Sequence, residues 1–464
     1  MKKLLWLFLL IVAISVAAPG FLGMQAEGHY KAVVRQLEDA GYHIADHTYA
    51  RGWFSSDARL QLELPVPETS APDAERPRLL VRTHAVHGPF LGAAEQSFGL
   101  ARLDSEIWLG SQPLVAGGGD PPVRTLIGFL GSGRTIIRVP PRQLSFAGGT
   151  LDMAAIAGEF AFGAGDQLAV GELSLPTLRA QDSDGVAGEL AGVKLALDLR
   201  RGPDNLPLGV WRFGLDRMAF SAPADAKAFA VDGLEISGSS ELHDGAMDVA
   251  ADYRVRALSA EGETYGPLDL RLTAKRLAVE ALARIQAAVE EAAASGATAE
   301  QRSEALGVAV LANADALLAK DPSIGIERLV FDMPEGRVSA ALELRASGLK
   351  AADLRNAATA LQRIHGKASL RMPEAVLEAL LRQQGRQQLI ALAKERAEDE
   401  QPSVQEIEAA AAQFAAQQIE NLVAQQILVR DGGAAVVAAE LRNGLLTVNG
   451  KTIPLTGFLQ RPAD

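Results

Sequence analysis

Seven histidines are the side chains best suited by type to hold a metal or move a proton: His29, His43, His47, His84, His87, His243 and His365. His43 and His47 stand four apart, the spacing that lets two imidazoles share a cation on one helix face. Gly41 makes that segment a poor helix, and no glutamate lies between the two, so no metal is expected there. His84 and His87 lie in Thr83-His84-Ala85-Val86-His87-Gly88-Pro89-Phe90. Three residues apart on a strand, they point to opposite faces. That leaves His87 a structural role at the turn.

Nucleophile chemistry is equally thin. No serine sits in a Gly-x-Ser-x-Gly elbow, and Gly131-Ser132-Gly133 reads as a flexible turn. Gly163-Ala164-Gly165 lacks the third glycine of a dinucleotide fingerprint, and no phosphate loop occurs. The absence of cysteine removes thiol nucleophiles, iron–sulfur clusters and cysteine zinc sites. Asp and Glu number 57, and most of them must be solvated. The residues therefore name no catalytic group, no cofactor and no metal. A non-enzymatic protein is expected, with an uncharacterised hydrolase as the lesser alternative.

The elements behind these residues are more legible. At 464 residues, 48% apolar and 22% charged, the chain can bury real cores in two or three domains and is not disordered. A net charge of −12 argues against nucleic acid as a partner. Met1-Lys2-Lys3 precedes an uncharged apolar run from Leu4 to Met24. Lysines before such a run orient it with the amino end in the cytoplasm. Residues 1–24 are expected to be a signal anchor, a single transmembrane helix. A cut after Ala18 would put Pro19 next to the scissile bond, which favours an uncleaved anchor over a cleaved signal peptide.

From residue 25 to about 40 the pattern is helical. Ala58-Arg59-Leu60-Gln61-Leu62-Glu63-Leu64 then alternates as a half-buried strand should. Short strands with Gly-rich turns follow to residue 272, so 25–272 is expected to be a β-rich region with one wet face. Residues 273–464 shift to Ala, Glu and Gln, with helices over 274–296, 298–320, 350–364, 373–397 and 403–428. Hairpins are expected at 324–345 and 436–453. The acidic residues over 395–420 favour packing on the protein's own sheet, or self-association, over lipid contact. The expected class is α+β, a large antiparallel sheet body with an N-terminal membrane helix and several long Ala-rich helices in the C-terminal half.

Four features together resemble the YdgA-like family of proteobacterial envelope proteins, a domain of unknown function. They are the lysine-led apolar start, Arg51-Gly52-Trp53-Phe54-Ser55-Ser56, His87-Gly88-Pro89-Phe90, and the closing Asn443-Gly444-Leu445-Leu446-Thr447-Val448-Asn449-Gly450-Lys451. The resemblance implies an inner-membrane-anchored, self-associating protein with its bulk in the periplasm, and it implies no reaction. The recurring residues have structural explanations. Gly52, Gly88 and Pro89 suit turns, Trp53 and Phe54 suit core anchoring, with Ser55 beside them, and Asn443-Gly444 and Asn449-Gly450 suit tight hairpin turns. The expected function is binding of a lipid or a hydrophobic protein segment in cell-envelope maintenance. The alternative is a self-associating, dimeric scaffold for other envelope proteins.

Overall fold

The computed structural model describes residues 27–454, apart from 29, 32–33, 36, 39–42, 64–77, 94–95, 116–119, 147–148, 164, 184, 222–227, 261, 296 and 395–402. Among the described residues strand makes up 56% and helix 25%. Every strand pairing is antiparallel, and the chain divides into two compact units, 1–227 with 282–312 and 228–281 with 313–464.

The first unit contains β1 (His43–Arg51), β2 (Ser55–Glu63), β3 (Arg78–His87), β4 (Ala101–Leu109), β5 (Gln112–Pro113), β6 (Val123–Ile127), β7 (Gly133–Val139), β8 (Arg142–Phe146), β9 (Gly149–Met153), β10 (Ile156–Phe162), β11 (Gln167–Asp182), β12 (Ala187–Arg201) and β13 (Pro207–Ser221). Pairing runs β1–β2–β3–β4–β6–β7–β10–β11–β12–β13, with the β8–β9 hairpin also joined to β11. The second unit contains β14 (Phe229–His243), β15 (Ala246–Val255), β16 (Ala257–Ala260), β17 (Glu263–Tyr265), β18 (Leu268–Ala278), β19 (Ser323–Met333), β20 (Gly336–Ala346), β21 (Ile364–Pro373), β22 (Val429–Asp431), β23 (Ala434–Arg442), β24 (Leu445–Val448) and β25 (Lys451–Pro454). Its main path is β14–β15–β18–β19–β20–β21–β23–β24–β25.

The strands of both units belong to one large antiparallel sheet, and the alternation of side chains makes them amphipathic. In the first unit Leu60, Val81 and Ile107 are cross-strand partners on one face, continued by Ile137, Leu173, Leu195 and Phe213 on later strands. Arg59, Arg82 and Glu106 align on the other. Arg124 Nε donates to Asp104 at 2.8 Å on that polar face. The β8–β9 hairpin closes part of the apolar face, where Leu144 and Met153 pack with Leu114 and Val139.

Two expectations are corrected. The class was to include an N-terminal membrane helix, and the location was to be a single-pass inner-membrane anchor with the bulk of the chain periplasmic. No helix among the described residues is long and apolar enough to cross a membrane. The segment on which both rested, 1–24, lies outside the described residues. The helical share of the C-terminal half is also smaller than Ala content suggests. The expected helix 350–364 is a 3-10 turn (Ala351–Arg355) and a short helix (Ala357–Arg363). It gives way to β21, where Ile364, Gly366, Ala368, Leu370 and Met372 alternate with polar residues and seat the strand between β20 and β23.

Candidate functional site

Three connections of the first unit emerge at one end of its sheet. Register fixes this: Ser55 faces Val86, His87 faces Ala101, Ala101 faces Ile127, and Ile127 faces Gly133. The β1–β2 turn, the β3–β4 connection and the β6–β7 turn therefore share that end.

The β1–β2 turn is tight because Gly52 N donates to Ser55 O at 2.8 Å. A Cβ at Gly52 would lie 2.7 Å from that same oxygen, so only glycine fits without a backbone shift. The β3–β4 connection starts at Gly88, whose N donates to Leu100 O at 2.7 Å. A Cβ on Gly88 would run into the Gly99 carbonyl oxygen. The Gly88–Pro89 peptide is cis, and Gly99 N donates back to Pro89 O at 3.0 Å. Leu100 N donates to Ile127 O at 2.7 Å, which ties the third connection to the second.

Beneath the first two turns lies a buried polar pair. His87 Nδ1 sits 3.2 Å from Trp53 O, and its Nε2 sits 3.0 Å from Ser56 Oγ. A carbonyl only accepts, so Nδ1 carries the proton and Nε2 accepts from the serine hydroxyl. His87 N also donates to Phe54 O at 2.8 Å. His87 and Ser55 stand out in the sequence as separate motif residues, with no partner named for the imidazole. The partner is Ser56, one residue on, because only alternate residues of β2 face β3's inner side. A period-two count from Ala58 and Leu60 places Ser56 on the apolar face with His87, and that count was the available signal. A serine hydroxyl on an imidazole resembles half of a nucleophilic dyad. Ser56 and His87 are, however, 1% and 4% exposed, and a carbonyl rather than a carboxylate orients the ring. The pair bolts two turns together.

Above the bolt the side chains turn outward. Trp53 and Phe54, expected as core anchors, are 55% and 57% exposed, and Phe90, Phe98, Phe129 and Leu130 are also solvent-exposed. The Phe90 and Phe98 rings meet at 5.2 Å between centroids. Guanidinium groups nearby lie against carboxylates: Arg51 is 3.6 Å from Glu27, which also pairs with Lys31, Arg102 is 3.0 Å from Asp104, which also pairs with Arg124, and Arg134 is 2.7 Å from Glu159. The hydrogen bond from Arg134 holds the Glu159 carboxyl below the usual carboxylate range.

A second apolar feature belongs to the long strands β11–β13. Leu173 pairs with Leu195, Val193 with Leu175, Leu197 with Trp211 and Leu195 with Phe213, all on one face. Leu173, Val193, Leu195, Leu197, Leu199 and Phe213 are only part-buried, and Trp211 is exposed.

The remaining sequence features resolve as structure. His43 and His47 lie on strand β1, with His43 Nδ1 3.2 Å from Glu63. His84 faces away from His87 and pairs with Asp57 at 2.7 Å, in an open polar cleft with Arg82, Asp104 and Glu106. No group of three or more His, Asp or Glu among the described residues could hold a metal ion. Asn443-Gly444 and Asn449-Gly450 form the β23–β24 and β24–β25 turns, with φ of 52°, 74°, 46° and 84° in that order. Those are the positive values such two-residue turns demand. Asn449 also accepts from Ala438 N at 2.8 Å and donates to Ile427 O at 2.9 Å. The structure therefore gathers Gly52, Trp53, Phe54, Ser55, His87, Gly88 and Pro89 at one end of the first unit. The four Asn and Gly residues form a separate hairpin in the second.

A family model described as a bacterial protein of unknown function (DUF945) matches residues 1–456. Neither the curated proteins nor the solved structures contain a match to this chain.

Proposed function

We propose a function from the premise that the chain belongs to the bacterial DUF945 family: it is a non-enzymatic binding protein that holds a lipid or a hydrophobic protein segment against the apolar face of β11–β13. The carrying observation is the row of part-buried leucines and aromatics on that face. Apolar surface left half-wet costs free energy that an apolar ligand would recover. A finer placement beside the YdgA-like envelope proteins rests on the motifs at residues 51–56, 87–90 and 443–451.

Native mass spectrometry and solvent extraction of the purified full chain test this reading. A bound lipid or apolar peptide is expected, and Leu195→Asp should abolish it with the fold retained. A chain that carries no apolar ligand and takes up none on titration would end the proposal.

Self-association is the second reading, favoured by one observation. The helix Ala299–Ala312 exposes Leu306, Val308, Val310 and Leu311. Light scattering after size exclusion should then give a dimer that Leu311→Glu dissociates. A monomer at micromolar concentration would count against it.

A further inference from the structure

The apolar row of β12 is closed at one end and charged at the other. Val193, Leu195, Leu197 and Leu199 take alternate positions on the strand and are all part-buried. The same alternation places Arg201 next on that face, while Lys194, Asp198 and Arg200 fall on the opposite face and are exposed. Behind Val193 the row meets packed core. Leu175, the cross-strand partner of Val193, packs against the cluster that holds Leu144 and Met153 of the β8–β9 hairpin. At the other end the cross-strand neighbours of Leu199 are Ala169 and Gly209, so the row is there one large side chain wide.

Arg201 is exposed at the end of the row. Its backbone N donates to Asp166 O at 2.5 Å, which fixes the end of the strand. Its guanidinium forms no ion pair with a described residue, the Asp166 and Asp204 carboxylates of the adjoining turns included. Arg179, towards the far end of the same ladder, lies instead 2.9 Å from Glu189.

We infer that this face takes a long-chain fatty acid, its tail along Val193 to Leu199 and its carboxylate on Arg201. This names the ligand class of the binding face proposed above and rests on that reading. Length, width and charge select the occupant. Val193 to Leu199 is six strand steps of about 3.3 Å, so the row is about 20 Å long, the reach of an extended acyl chain of roughly 16 carbons. Near Arg201 the row has room for one chain, and a two-chain lipid would find no second apolar row there. A partner helix, about 10 Å across, is wider than the row. A guanidinium offers a carboxylate two parallel hydrogen bonds. With packed core beside Leu175, the polar head of the ligand can lie only at the Arg201 end.

Calorimetric titration of the full chain with palmitate, and with the uncharged hexadecanol delivered from cyclodextrin, tests the assignment. Palmitate should bind once per chain, more tightly than hexadecanol and more tightly than the ten-carbon decanoate. Arg201→Gln should weaken palmitate by about tenfold or more and leave hexadecanol unchanged, which also shows the fold intact. Arg201→Lys should restore part of the loss, and Arg200→Gln, on the opposite face, should cause none. If palmitate and hexadecanol bind alike and Arg201→Gln moves neither, the binding face stands and the fatty-acid assignment is overturned. If neither binds, the face itself fails and the assignment falls with it. Equal losses from Arg200→Gln and Arg201→Gln would mean general attraction of anions, and tighter binding of phosphatidylglycerol than of palmitate would mean a two-chain ligand; either overturns the inference.

Discussion

The C-terminal sheet and the long strands of the N-terminal unit carry the same pattern and meet different fates. In the second unit Leu370, Val437 and Met333 lie on the apolar face, and two helices, Glu374–Lys394 and Val404–Ala424, pack against it through Val376, Leu381 and Ile419. Leu370, Val437 and Met333 are themselves part-buried but pack on the buried Met372 and Ala435; on β11–β13 Leu173, Leu195, Leu197 and Phe213 are part-buried and Trp211 is exposed. Alternation writes an apolar face into a strand; it does not write what covers the face. Where the cover is in the chain, the face is core. Where it is incomplete, the face is open to the binding proposed above.

The largest expected effect tests the covered half of that comparison. Ile419 is 3% exposed between helix and sheet. Ile419→Ala removes buried methyl groups and leaves a cavity, and should cost about 3 kcal/mol. Urea unfolding followed by amide exchange in β21 and β23 reads this out. A cost below about 1 kcal/mol would mean that the helices rest loosely on the sheet, and the contrast would fail.

The next effect concerns the bolt under the exposed rings. Ser56→Ala leaves His87 Nε2 buried without its donor, an expected loss of about 2 kcal/mol. Trp53→Ala, a far larger truncation, should cost less than Ser56→Ala, because the ring is mostly in water while the serine is not. The reverse order would show that the tryptophan does anchor a core.

How far was this legible beforehand? The part of β2 at 58–63 was, because Ala58, Leu60 and Leu62 alternate with Arg59, Gln61 and Glu63 without interruption. The hairpin around Pro334-Glu335-Gly336 and the Asn-Gly turns were, because turn chemistry is local. β21 was hidden: its alternation is short and follows an Ala-rich stretch, and propensity there speaks for helix while the flanking strands decide for sheet. The long strands β11–β13 read as short ones, since Gly171, Gly192 and Gly209 break the pattern that the ladder carries through. The candidate site was half visible. Residues 51–56 and 87–90 stood out as motifs, but nothing in the sequence reading paired His87 with the β1–β2 turn. Trp53 and Phe54 were misassigned because residue type reports hydrophobicity and not the side of a turn on which a ring falls.

A smaller effect marks the second hairpin as structure alone. Asn449 holds a positive φ and bonds both Ala438 and Ile427. Asn449→Ala should cost about 1–2 kcal/mol, from strain in the left-handed region and two lost hydrogen bonds. It should leave ligand binding as it is, because β24–β25 belongs to the other unit. Loss of ligand binding would draw this hairpin into the functional surface.

The smallest stability effect carries the most information. Leu197 lies on the open face, opposite Trp211 and Gly171. Leu197→Thr introduces a side chain branched at Cβ, which strands favour, and removes apolar surface that water already reaches in part. A change within about 0.5 kcal/mol is expected, far below the cost at Ile419. The same substitution puts a hydroxyl where an apolar ligand would lie, and should weaken ligand capture at least tenfold. A buried-core position cannot separate these two readouts, because losing the fold loses the binding. Stability held while binding falls would mark β11–β13 as a binding face; if both fall together, the face is ordinary core and the two units differ only in degree.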